Sequence, residues 1–113
     1  MSTQSDQIND ALTALQSALA DAANAGPYSP DLEGTLDDIT GLLQTMQNNL
    51  LTQSEQALLD ALNANNAQLQ KLNADIETYI TSLGQTAATI KNVSNAIGIA
   101  VNVIGAVVSA GII

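Results

Sequence analysis

The sequence predicts an all-α fold: an elongated helical hairpin or bundle with one long heptad-patterned C-terminal helix that ends in an apolar segment. Three observations carry this. Aliphatic residues recur in steps of three and four along most of the chain, the spacing that lines one face of a helix. Phe and Trp are absent and aromatic content is only 2%, so the core is built from Leu, Ile, Val and Ala. That composition suits helices packed side by side and suits a sandwich or barrel poorly. Finally, Leu62, Leu69, Ile76, Leu83, Ile90, Ile97 and Ile104 recur at intervals of seven, as in a coiled-coil-like helix.

The first helix is expected at about residues 3–24, with Ile8, Leu12, Leu15, Leu19 and Ala22 as its stripe. Gly26-Pro27-Tyr28-Ser29-Pro30 stops it, because Pro lacks an amide hydrogen and clashes with the preceding turn. Tyr28 lies in this turn, where it would form an exposed contact. The second helix is expected over about 30–50. Ser29 suits the N-cap, Pro30 the first turn, and Asp31 and Glu33 the positive end of the helix dipole. Its stripe is Leu32, Leu36, Ile39, Leu43, Met46 and Leu50, interrupted by Gly34 and Gly41, which each cost roughly 1 kcal/mol of helix propensity.

The stripe slips phase near Asn48 to Leu51, which favours a turn. Thr52 followed by Glu55 matches a capping box. A third helix then spans about 53–92. Its seam takes in Leu62, Leu69, Leu72, Ile76, Tyr79, Leu83 and Ile90, and the repeat continues in the same register into Val93 and beyond. Residues 1–92 are thus expected to form an acidic helical bundle, and residues 93–113 an apolar tail continuous with the third helix. Gly84 and Gly98 are candidate bends.

That tail, VSNAIGIAVNVIGAVVSAGII, holds no charged residue. As a helix it would extend ~31 Å, close to the ~30 Å hydrocarbon thickness of a bilayer. Val93, Ile97, Val101, Ile104, Val108 and Ile112 would insert or assemble. Lys91, Asn95, Gly98, Asn102, Gly105 and Ser109 form a narrow small-polar stripe in steps of four and three. Such a stripe would line a lumen or give a small-residue face for close helix packing, in lipid or in a soluble bundle. An Asn within an apolar span is costly unless it finds a partner or water, which favours self-association over a lone span.

The net charge is −9, with no Arg or His and with Lys71 and Lys91 as the basic residues. Nothing here could neutralise a nucleic-acid backbone, and anionic lipid would not attract the chain electrostatically. Cysteine is absent, which removes disulfide, thiol and cysteine–metal chemistry. A general base would have to be a perturbed carboxylate. Asp37-Asp38 and Asp75/Glu77 point apart on their helices, so no facing acid pair forms. The sequence therefore predicts no catalytic residues, no cofactor, no metal site and no small-molecule substrate. The N-terminal stretch has neither a basic region nor an apolar one, so a leaderless secretion route or membrane association is expected in place of a cleavable signal peptide.

The stretch LQKLNADIETYITSLGQTAATIKNVSNAIGIAVNVIGAVVSAGII, a polar heptad helix passing into a Gly/Ala/Val/Ile segment, resembles bacterial α-helical pore-forming toxins of the cytolysin A and haemolysin BL type. The resemblance implies a soluble bundle that hides an apolar element and exposes it on assembling in a membrane. The Pro27-Tyr28-Ser29-Pro30 turn between two helices also resembles the turn of type III secretion needle subunits, which polymerise through long helices. The combined expectation is a non-enzymatic, self-assembling, membrane-active protein whose partners are its own copies or a related helical component, and a lipid bilayer. A filament subunit with buried tails and a tail-anchored acidic adaptor are the alternatives.

Overall fold

The computed structural model describes residues 4–53, 55–83 and 87–111. Among them are four helices and no strand: α1 (Gln4–Ala25), α2 (Pro30–Thr52), α3 (Glu55–Leu83) and α4 (Ala87–Ala110). Each helix packs on two neighbours around a ring, α1 and α3 each lying between α2 and α4. Short connections make consecutive helices antiparallel. Side-chain hydrogen bonds mark the register: Gln47 Nε2 donates to Gln16 Oε1 (3.3 Å), Asn49 Nδ2 to Asn65 Oδ1 (3.2 Å), and Ser94 Oγ to Asn73 Oδ1 (2.8 Å). The bundle measures 42 × 25 × 21 Å, nearly twice as long as it is wide.

The core is evenly shared. α1 supplies Ile8, Leu12 and Leu15; α2 Leu32, Ile39 and Met46; α3 Leu62, Leu69 and Ile76; α4 Ile90, Ile97 and Ile104, all fully buried. The last six of these belong to the seven-residue series on which the sequence places a single helix. Here the structure corrects the expectation of a continuous third helix. α3 ends at Leu83 and α4 begins at Ala87, and the two pack against each other. The seven-residue spacing is equally the buried stripe of each of two helices that use one face. Folding back also covers apolar surface that a tail projecting beyond the other helices would leave in water. Gly84, the candidate bend between them, lies outside the described residues.

Local chemistry sets the ends. Ser29 Oγ accepts from the Leu32 amide (3.3 Å), and Pro30 opens α2. Thr52 is the last residue of α2 and its Oγ1 donates to the Asn48 carbonyl (2.9 Å), so it closes this helix instead of forming a capping box for the next. Gln53 is extended and ends the helix. Gly111, at φ +69°, closes α4 with its amide directed to the Val107 and Val108 carbonyls, a left-handed position that suits glycine.

Tyr28 is half-buried, which corrects its reading as an exposed contact. Its hydroxyl donates to the Ala22 carbonyl (2.7 Å), satisfying an acceptor in the last turn of α1. Its amide donates to Glu33 Oε1 (3.2 Å) in the first turn of α2. The turn is thereby tied to both helices it joins.

Candidate functional site

The feature that separates one helix from the other three is charge. All acidic residues lie on α1, α2 and α3, whereas α4 carries none and has Lys91 as its single charged residue. Among the described residues one helix, Ala88–Ala110, is long and apolar enough to cross a membrane. Length and composition alone meet that criterion, and the core helix of a soluble protein meets it too. Of its most apolar stretch 33% is buried, so much of α4 faces outward.

The residues expected to insert or assemble divide by face. Val93, Ile97 and Ile104 are fully buried against the neighbouring helices, with Val101 and Val108 half-buried beside them. Ile112 lies outside the described residues. The seam residues Leu62, Leu69, Ile76 and Ile90 are fully buried, and Leu72, Tyr79 and Leu83 pack at the margin of the same core. The expectation of a bare tail needing another chain to hide it is therefore met differently: the bundle itself covers α4's most apolar stripe.

The small-polar stripe splits in the same way. Lys91, Asn95, Asn102 and Ser109 are exposed on the outside of the bundle. Gly98 and Gly105 lie at its half-buried edge, and a Cβ at 105 would stand 3.7 Å from Asn66 Nδ2 on α3. The outermost line of α4 is offset slightly from the one read in the sequence. It runs Ala88, Asn92, Asn95, Ile99, Asn102, Ala106 and Ser109, every one exposed and again in steps of four and three. Ile99 is 58% exposed, an unusual state for a large aliphatic side chain. The chain matches no known family model, no curated protein and no solved structure.

Surface clefts lie along the helices among the described residues. One of about 470 Å³ flanks the α1–α2 turn, between Tyr28, Glu33, Asp37 and Leu19. Another, about 490 Å³, runs between α2 and α3 past Asp38, Lys71 and Asp75. Burial raises the Tyr28 hydroxyl above the usual tyrosine range. Among the described residues no three Asp or Glu side chains are grouped closely enough to hold a metal ion.

Sequence reasoning missed Asn66, which is buried on α3 with its Oδ1 unpartnered. It lies seven residues from buried Leu59 and from Asn73, on a second line that faces α4. The signal was the Leu59–Asn66–Asn73–Ile80 spacing, which the stronger Leu62–Leu69–Ile76 series obscures.

Proposed function

We propose that the protein is non-enzymatic and membrane-active, with α4 as the working element. The acidic helices α1–α3 would keep the chain soluble and store α4. On reaching a bilayer, α4 would leave the bundle and insert, its buried Ile and Val residues exchanging a protein core for hydrocarbon. Insertion would be hydrophobic in origin, since a chain of net charge −9 gains nothing from anionic headgroups. The observation that carries this reading is the segregation of charge: an acid-free, span-length helix packed on α1 and α3, in a bundle whose other three helices hold every Asp and Glu. The pattern-level resemblance to helical pore-forming toxins points the same way.

The test exploits the absence of native cysteine. Asn73→Cys and Ser94→Cys stand at a side-chain contact between α3 and α4, and a short bismaleimide bridge between them would tie α4 down. The unbridged protein should release dye from neutral phosphatidylcholine vesicles and the bridged protein should not. Absence of both binding and leakage between pH 4 and pH 8 would overturn the reading, as would equal leakage by the bridged form.

A further inference from the structure

We propose that the outward face of α4 is a docking surface for a second copy of this chain, paired antiparallel across a two-fold axis. The face is formed by Asn92, Asn95, Ile99, Asn102, Ala106 and Ser109, all exposed. Its alternating steps of four and three are the spacing by which two helices mesh along a shared seam.

Charge selects the occupant. Two copies of net charge −9 repel wherever α1, α2 or α3 faces its counterpart, because each of those helices presents exposed carboxylates. α4 presents none, so it is the face on which a like-charged copy can approach closely. A cationic partner would be drawn to the other three faces instead. Lys91, the sole charge of α4, stands in the first turns of that helix. Antiparallel pairing sets it against the partner's α4 C-terminal end, the negative end of that helix's dipole.

The seam is also self-complementary, as a two-fold interface requires. With the axis between Ile99 and Asn102, Ile99 of one copy faces Asn102 of the other, Asn95 faces Ala106, and Asn92 faces Ser109. The exposed Ile99 side chain is thereby covered next to the axis. From Asn92 to Ser109 the seam is about 27 Å long and, at a helix width of about 10 Å, offers a footprint of roughly 300 Å² per copy. Stable complexes bury ~800 Å² per partner, so the pairing is reversible and concentration-dependent. Salt strengthens it, by screening repulsion between the acidic bodies.

Sedimentation equilibrium on the full chain in lipid-free buffer tests this, between about 10 μM and 1 mM, in low salt and with ~0.5 M salt added. The expected result is a monomer–dimer equilibrium that tightens with salt. Ile99→Glu should weaken dimerisation at least ~10-fold while circular dichroism stays helical, and Ala14→Glu on the exposed face of α1 should leave it unchanged. Mixing the Ile99→Glu and Asn102→Lys variants should restore pairing as a heterodimer. A wild type that stays monomeric throughout would overturn the proposal. So would a dimer indifferent to Ile99→Glu, equal disruption by Ala14→Glu, or no heterodimer on mixing. None of these measurements involves lipid, so their failure would leave the membrane reading standing.

Discussion

Asn66 on α3 lies against Gly105 on α4, with its amide nitrogen 3.7 Å from where a Cβ at 105 would be and its carbonyl oxygen buried without a hydrogen-bond partner. A buried unpaired acceptor costs about 1–3 kcal/mol, so this contact weakens the α3–α4 interface. Replacing Asn66 with Ala removes the orphaned oxygen and improves helix propensity, at the expense of a small volume. Asn66→Ala should therefore raise stability by about 1 kcal/mol, read as a higher urea midpoint with unchanged slope. A loss of similar size would show that the amide is satisfied in solution.

Gly34 and Gly41 interrupt α2, and a Cβ at either position would meet nothing within 4 Å. Alanine fits both places without displacing a neighbour. Each substitution should stabilise the bundle by about 0.5–1 kcal/mol, and the two together should be close to additive because they are separated by two helical turns. Thermal unfolding of the single and double variants checks this. Destabilisation by either would mean that the open side of α2 is occupied in solution.

These positions also mark what could be read from the sequence and what could not. The all-α class, the buried stripes and the Ser29–Pro30 start of α2 were legible because each depends on local spacing or capping chemistry. The separation of α3 from α4 was not. A seven-residue period looks the same along one helix as along two that each bury one face, and only the packing of Ile90, Ile97 and Ile104 among the other helices distinguishes them. The burial of Asn66 and the exposure of Ile99 depend on which neighbour each helix meets, which no local pattern encodes.

Tyr28 supports the α1–α2 turn through its hydroxyl bond to the Ala22 carbonyl. Tyr28→Phe should cost about 1 kcal/mol at neutral pH, the usual net worth of one such bond. The ionisation has a definite sign. Burial raises the hydroxyl's pKa in the folded state, so the folded protein holds this proton more tightly than the unfolded chain does. Its contribution is complete below the unfolded value near pH 10 and is lost as pH rises through the folded value. The stability gap between wild type and Tyr28→Phe should accordingly shrink in strongly alkaline buffer. A gap constant from pH 7 to pH 11 would exclude the hydroxyl as its source.

Ile97 and Ile99 stand two residues apart on α4 and on opposite sides of it: Ile97 is fully buried, whereas Ile99 is 58% exposed. Their truncations separate a packed helix from a free one. Ile97→Ala removes atoms from a closed core and leaves a cavity, so it should cost about 2–5 kcal/mol. Ile99→Ala removes atoms already largely in water and should shift stability by no more than about 0.5 kcal/mol. Urea unfolding of the monomer, at a concentration low enough to prevent self-association, measures both. Were α4 an unpacked extension of α3, neither change would register against the cooperative unfolding of the remaining helices. A large loss for Ile97→Ala beside a negligible one for Ile99→Ala requires α4 to be docked in this orientation, the arrangement from which any release to a bilayer has to begin.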